Sequence, residues 1–227
     1  MPRDGVNDID PDELLMAYRL GYFPMARSRE SADVVWVLPE KRGVLQLKDA
    51  RCPRRLRRFI ARAPFTIKIN AAFRDVMLAC AAPAPGRRET WINDAIIDVY
   101  TELHRRGAAH SVECWKDGVL VGGVYGVALG GLFCGESMFS RVDNASKTAL
   151  IHLIGRLKLN GFTLLDAQFP SDHLEQFGVI EITNMEYQDL LAEALKLQGT
   201  FTDGSAGSDG LANSSTMTVL QSITQTS

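Results

Sequence analysis

The chain has 227 residues, 46% of them hydrophobic, and a formal net charge of −2, enough apolar content for one large domain or a small one beside a larger one. No apolar run approaches the roughly 20 residues of a membrane span, and the opening MPRDGVNDID is acidic rather than signal-like, so a cytoplasmic protein is expected. The four cysteines (Cys52, Cys80, Cys114, Cys134) form no C-x-x-C pair and the four histidines share no metal-ligand spacing, which speaks for reduced thiols and against a metal enzyme.

In chain order, Asp10-Pro11-Asp12-Glu13 opens a helix with an N-cap, an early proline and carboxylates in the first turn. Leu14, Leu15 and Tyr18 form its apolar face, and Gly21 ends it. Val34 to Val37 reads as a short strand broken by Pro39, and Val44, Leu45 and Leu47 suggest another. Pro53 starts a helix with Leu56, Phe59, Ile60 and Ala63 inward. Arg54, Arg55, Arg58 and Arg62 lie largely on its other side, with Arg51 and Arg57 nearby. From Lys41 to Arg62 there are nine basic residues and one acid, Asp49. A solvated face would explain two or three arginines; six in twelve residues point to contact with phosphates.

Phe65 to Ile69 alternates as a strand, and Asn70 is expected to cap a helix facing inward through Phe73, Val76, Met77 and Cys80. A loop at Pro83 to Gly86 follows, with Arg87 and Arg88 exposed. Ile96, Val99, Tyr100 and Leu103 mark a helix that stops at Gly107. Ser111 to Trp115 and Gly118 to Leu129 read as neighbouring strands, and Gly130-Gly131 turns the chain back. The returning strand ends in Glu136, Ser137, Met138 and Phe139, a carboxylate and a hydroxyl among large apolar groups.

Asn144 can cap a helix whose inner face is Leu150, Leu153, Ile154 and Leu157. Phe162 to Phe169 is a buried strand in which Phe162, Leu164, Asp166 and Gln168 share a face under the two-residue period. That face turns polar at its C-terminal end, where open α/β sheets bind ligands. A satisfied core carboxylate would explain Asp166 alone; the pair favours a site. Ser171 caps a short helix to Gly178, and Thr183 with Glu186 forms a capping box for the last one, with Tyr187, Leu190, Leu191 and Ala194 inward. From Thr200 on, twelve of 28 residues are Ser or Thr and none is Lys or Arg, the composition of a disordered tail.

The element order suggests an α/β (α+β) chain: a small basic N-terminal domain over 1–62, a mixed-sheet domain over 63–199, and the tail over 200–227. G-E-S-M-F at 135–139 lacks the closing glycine of a nucleophile elbow, and there is neither G-x-G-x-x-G nor a P-loop, so no nucleotide cofactor suggests itself. A non-enzymatic RNA-binding protein and a coenzyme A-dependent acetyltransferase are the rival classes. The second should carry a glycine-rich pyrophosphate loop at a helix start, which is not found.

The order of motifs resembles the leucyl/phenylalanyl-tRNA–protein transferases. The matching pieces are LLMAYRLGYFPM (14–25), Trp36 with Pro39 and Arg42, RRLRRF (54–59), TWINDAIIDVYTELHRRGAAHSVECW (90–115), LVGGVYGVALGGLFCGESMFSRVDNASKTAL (120–150) and FTLLDAQFPSDHLEQFGV (162–179). The resemblance implies transfer of Leu, Phe and less readily Met from aminoacyl-tRNA to the α-amine of proteins beginning with Arg or Lys, which marks them for degradation. It implies a GNAT-like acyltransferase domain working without coenzyme A or any other cofactor, and a monomer is expected. It implies an aminoacyl pocket of Trp91, Tyr100, Phe133, Met138, Leu153 and Leu157 with Glu136 at its edge. Asp166 and Gln168 match the polar pair of the reaction centre, Trp36 the adenosine contact, and the arginines from Arg51 to Arg62 fall to tRNA. The family's Trp-Trp-Ser-Pro is here Trp36-Val37-Leu38-Pro39, its Asp-Cys-Gln is Asp166-Ala167-Gln168, and its Ile-Pro-Arg is Ile182-Thr183-Asn184.

Overall fold

The computed structural model describes residues 9–29, 31, 33–83, 90–201 and 216–224. Helix α1 (Pro11–Arg19) starts on Asp10, whose carboxylate accepts the amides of Asp12 and Glu13. Strands β1 (Phe23–Ala26) and β2 (Val34–Val37) form a separate antiparallel pair. Then come β3 (Lys41–Gln46), a 3-10 turn (Leu47–Asp49), α2 (Arg54–Ile60), β4 (Thr66–Ile69), α3 (Phe73–Ala81) and α4 (Asp94–Arg105). A meander of β5 (Ala109–Lys116), β6 (Val119–Leu129) and β7 (Leu132–Ser140) follows, turning at Gly130-Gly131 as expected. The rest is α5 (Ala145–Leu159), β8 (Leu164–Gln168), α6 (Asp172–Glu175), β9 (Ile180–Thr183), α7 (Asn184–Leu195) and α8 (Thr216–Thr224).

Seven strands form one mixed sheet in the order β4-β5-β6-β7-β8-β3-β9. Only the β7–β8 pairing is parallel, with α5 as its crossover; every other neighbour is antiparallel. Each face carries its own apolar cluster. One gathers side chains of α1, α3, α4 and α7; the other gathers those of α2, α5 and α8. Helix α5 is buried nearly all round, because the sheet lies on one side and α8 on the other.

Strand β3 lies inside the sheet between β8 and β9, so the boundary expected after residue 62 cuts through the large unit. Short strands with one long-range partner on each side carry no local mark of the sheet they join. Three caps also differ from expectation: Ser171 is the N-cap of α6 but makes no side-chain capping bond, and that helix ends at Glu175 rather than Gly178. Asn70 adopts φ +56° and uses its side chain to hold His110 and the Ser111 amide, while α3 starts on Ala72. Asn144 is an N-cap, but in the left-handed region and with no side-chain capping bond.

The tail is not wholly without structure. Phe201 stacks on His110 and Phe133, and α8 buries Val219, Leu220 and Ile223 against α5. An added Cβ at Gly155 would sit 2.5 Å from Val219 Cγ1, so this glycine is what lets α8 approach. Three buried apolar side chains contribute about 1.5–3 kcal/mol each at most. On α5 itself, Thr148 Oγ1, His152 Nδ1 and Arg156 Nε are buried and without a hydrogen bond among the described residues. Such groups cost about 1–3 kcal/mol each, a sum of the same size. The expected loop with Arg87 and Arg88, and the tail at 202–215 and 225–227, lie outside the described residues.

Candidate active site

The parallel β7–β8 ladder ends at Cys134↔Asp166, although β7 runs on to Ser140 and β8 to Gln168. Beyond that pair the two strands separate, and the polar groups expected at the strand ends stand on either side of the gap. Asp166 and Gln168 share a face with Leu164, as the two-residue period requires, whereas Phe162 precedes the strand and packs in the opposite cluster. Gln168 takes φ +63°, an uncommon conformation for a residue with a side chain. Its amide then turns back onto Asp166 Oδ1 at 2.8 Å. Opposite it, β3 shifts register between Gly43 and Val44, and a Cβ at Gly43 would lie 2.8 Å from Pro170 N. The glycine makes room for the distorted strand end.

Asp166 is fully buried, and so is its partner Arg42, from β3. Arg42 Nε donates to Oδ1 at 2.9 Å and Nη2 to Oδ2 at 2.6 Å; Nη1 donates to the Gly21 carbonyl at 2.8 Å. The guanidinium lies between the rings of Phe23 and Tyr187, 4.8 and 4.3 Å from their centroids. Tyr187 Oη donates to Asp166 Oδ2 at 2.8 Å. Burial opposes the charge on Arg42, but its hydrogen bonds and ion pair with Asp166 outweigh this and raise its pKa. Both carboxylate oxygens of Asp166 are thus occupied by donors.

Glu136 faces the same space from β7. Its Oε1 accepts Tyr18 Oη at 2.6 Å and Gln168 Nε2 at 3.0 Å, and its Oε2 accepts Tyr100 Oη at 3.2 Å. The Tyr18 and Tyr100 hydroxyls also contact each other. Burial pushes the Glu136 carboxyl up to about 7, with the bonds from Tyr18 and Gln168 pulling the other way and the charge of Asp166 adding to the rise. With Nε2 committed to Glu136, the Gln168 carbonyl oxygen keeps its accepting capacity: no hydrogen bond reaches it among the described residues.

A cavity of about 110 Å³ opens beside Glu136 between the separated strands, with Met138, Leu150, Ile154, Ala167 and Phe177 in its wall. It has room for one side chain and not for a nucleotide. Of the residues expected in an aminoacyl pocket, Met138 lines this cavity and Glu136 stands at its edge. Phe133, Leu153 and Leu157 belong to the same apolar cluster but are fully enclosed by it. Tyr100 lies on the other face of the sheet, bonded to Glu136, and Trp91 packs at the margin of that cluster. The positions of α5 that reach the cavity are Leu150 and Ile154, one turn apart.

The arginine helix is oriented as expected at Leu56 and Ile60, whereas Ala63, expected inward, lies beyond the helix and is exposed. Leu56 and Ile60 are buried, while Arg51, Arg54, Arg55, Arg57, Arg58 and Arg62 are exposed and carry no ion pair among the described residues. Trp36 is exposed on β2, opposite Pro24. Tyr18 and Tyr187 were legible only as apolar-face residues of their helices, and Arg42 only as one of the matching family residues; the tell was an arginine within a buried strand pattern. Among the described residues no cluster suited to a metal ion occurs, and no helix is long and apolar enough to cross a membrane.

The family model for leucyl/phenylalanyl-tRNA protein transferase matches residues 44–192, and that for its N-terminal domain matches residues 7–40. The chain belongs to the leucyl/phenylalanyl-tRNA protein transferase family. The two matches meet at β3 rather than near residue 62, and Arg42 falls in the gap between them. The leucyl/phenylalanyl-tRNA–protein transferase of Phenylobacterium zucineum (strain HLK1) is 53% identical over 220 residues, covering 97% of this chain and 99% of the relative. Those of Rhodospirillum rubrum and Rhizorhabdus wittichii are 50% and 54% identical, over 86% and 82% of this chain and 91% and 75% of their own. Among solved structures, L-PGS from Bacillus licheniformis aligns with 80% of this chain and 62% of its own at 12% identity, and its TM-score of 0.37 supports no inference.

Proposed function

We propose that the chain moves Leu, Phe and less readily Met from aminoacyl-tRNA to the α-amine of proteins that begin with Arg or Lys, giving the product an N-terminal signal for degradation. The observation that carries this reading is the set of Glu136, Asp166 and Gln168 at the parted ends of β7 and β8, beside a side-chain-sized apolar cavity, in a chain of this family.

An aminoacyl ester is already activated, so its conversion to an amide needs positioning and charge stabilisation rather than a covalent nucleophile. The acceptor α-amine has a pKa of about 8, so roughly a tenth is neutral at pH 7. The aminoacyl side chain fills the cavity, where Met138, Leu150 and Ile154 test its shape. Gln168 accepts a hydrogen bond from the attacking amine through its free carbonyl oxygen, and its amide group is held by Glu136. The amine nitrogen bonds to the ester carbon, the bond to the ribose oxygen breaks, and the amine's proton ends on that oxygen. Asp166 is an electrostatic and positioning partner rather than a base, because Arg42, Tyr187 and the Gln168 amide already occupy its oxygens. Glu136 is the carboxylate that balances the charge of the cationic intermediate, held in place by Tyr18, Tyr100 and Gln168. The exposed arginines hold the tRNA backbone and Trp36 stacks on the terminal adenosine.

The test is direct. Labelled Leu-tRNA and an Arg-starting peptide are incubated with the protein, and acetyl-CoA replaces the tRNA in a parallel sample. Label should pass from Leu-tRNA to the peptide. Transfer from acetyl-CoA instead, or tRNA binding without transfer, would establish one of the rival classes.

A further inference from the structure

Next to the apolar cavity lies a basic one. It has a volume of about 380 Å³ and opens between α2 and the start of α5, with Arg55 and Phe59, Asn144 and Lys147, and Gln176 in its wall. The two cavities neighbour each other along the same two pieces of chain. Lys147 stands one turn before Leu150 on α5, on the side that Ile154 also occupies, and Gln176 immediately precedes Phe177. Side chains three apart on a helix are about 5–6 Å apart at Cβ, so Lys147 and Leu150 are adjacent positions, one on each cavity.

No carboxylate lines the basic cavity; Asp143 and Glu175, the acids next in sequence to its wall, are exposed and outside it. Elsewhere on the surface cations find acids, as Lys41 finds Glu181, Arg106 finds Glu102 and Lys196 finds Glu193. Arg55 and the half-buried Lys147 make no ion pair or hydrogen bond among the described residues. The Asn144 side chain makes no capping bond, and Gln176, whose Nε2 donates to the His173 carbonyl at 2.7 Å, keeps its own carbonyl oxygen. Burial, and then the charge of Lys147, hold His173 of α6 below its ordinary pKa, so the positive field of Lys147 reaches that helix.

Two uncompensated cations with amide groups between them suit a phosphodiester, and the volume suits one nucleotide. In an aminoacyl-tRNA the ester is carried by the ribose of the last nucleotide, so the phosphates closest to it have to lie next to the cavity that takes the aminoacyl side chain. We infer that Arg55, Asn144, Lys147 and Gln176 bind the single-stranded 3′ end of tRNA, with Arg55 and Lys147 on the phosphates that precede the terminal adenosine. This rests on the proposed tRNA-dependent function and divides its tRNA contacts in two. The arginines of α2 that face away from α5 hold the body of the tRNA, and the basic cavity holds the end that carries the amino acid.

The test uses the full chain and two deacylated tRNAs, one intact and one lacking its single-stranded 3′ end. Lys147→Gln should weaken binding of the intact tRNA about 10-fold and flatten log Kd against log salt by roughly 0.7, as for one phosphate contact on a single strand. Binding of the truncated tRNA should stay at the parental value, which also reports that the variant is folded. Arg54→Gln combined with Arg58→Gln should weaken both tRNAs alike. In transfer, Lys147→Gln should raise the KM for Leu-tRNA with kcat nearly unchanged, and Lys147→Arg should restore most of the loss. Parental affinity of Lys147→Gln for the intact tRNA would overturn the inference, as would equal weakening of both tRNAs, which would assign the lysine to the tRNA body. Neither result touches the proposed function. Failure of the parent chain to pass label from Leu-tRNA to the peptide would sink both.

Discussion

Arg42 holds Asp166 by two parallel bonds, Nε to Oδ1 at 2.9 Å and Nη2 to Oδ2 at 2.6 Å, although the two residues are 124 positions apart. The pair joins β3 to the end of β8, and through the Gly21 carbonyl it also ties in the loop after α1. The carboxylate nearest Gln168 is therefore part of the frame around the reaction centre and not a free base.

Removing one partner of this pair leaves the other charge buried and unmatched, which costs about 3–5 kcal/mol. Arg42→Met should lower the melting temperature and the transfer rate together. Arg42→Met combined with Asp166→Leu should recover much of the stability and none of the transfer. Thermal melting and single-turnover transfer on the two variants check this, and recovery of both quantities in the double variant would reduce the pair to a packing element.

Gln168→Ala should cut single-turnover transfer by about 10- to 1,000-fold with little change in tRNA affinity, since it removes the acceptor for the amine and one donor to Glu136. Asp166→Asn should lose rate and also stability, because Arg42 loses its counter-charge. The double variant should cost little more in rate than the worse single one. Additive losses that follow the melting temperature would mark the two as structural.

Glu136 has a folded-state pKa raised from 4.5 to about 7, so the folded protein holds a proton there that the unfolded chain has released. Its contribution to stability is present in full below about 4.5 and is lost as pH rises through about 7. Glu136→Gln should therefore gain stability relative to the parent chain as pH goes from 5 to 8, read from melting temperatures across that range. Transfer by the parent chain should rise with ionisation near pH 7 beyond what the acceptor amine accounts for, and the variant should lack that component.

Leu150 and Ile154 wall the cavity while Leu153 is enclosed beside it. Leu150→Ala or Ile154→Ala should raise transfer of bulkier side chains relative to Leu. Leu153→Ala should instead cost about 2–5 kcal/mol of stability and leave the Leu-to-Phe ratio nearly unchanged. Competition between Leu-tRNA and Phe-tRNA on the three variants decides between the two placements of the pocket.

Replacing Arg54, Arg55 and Arg58 by Gln should weaken tRNA binding across all salt concentrations and flatten the salt dependence by up to about three units of slope. Stability should hardly change, because these side chains are exposed and unpaired among the described residues. Salt titrations of tRNA binding supply the measurement, and an unaltered slope would take α2 out of the interface.

Whatever is written in local periodicity was legible from the chain itself: the Asp10 cap and the Thr183–Glu186 capping box, the Gly130-Gly131 hairpin, the apolar and basic sides of α2, and the adjacency of Asp166 and Gln168 on one strand face. Period and capping depend on residues a few positions apart, so they survive without knowledge of the fold. Pairing does not. That β3 slots between β8 and β9, that β7 and β8 run parallel and then part, and that Arg42, Tyr18 and Tyr187 converge on the two carboxylates were settled by contacts across the chain. The periodic pattern of α5 could not say which of its buried leucines meet the cavity, because it is enclosed on all sides. In the Ser/Thr-rich tail, average composition hid a nine-residue helix, which packs on α5 where Gly155 leaves a gap for Val219.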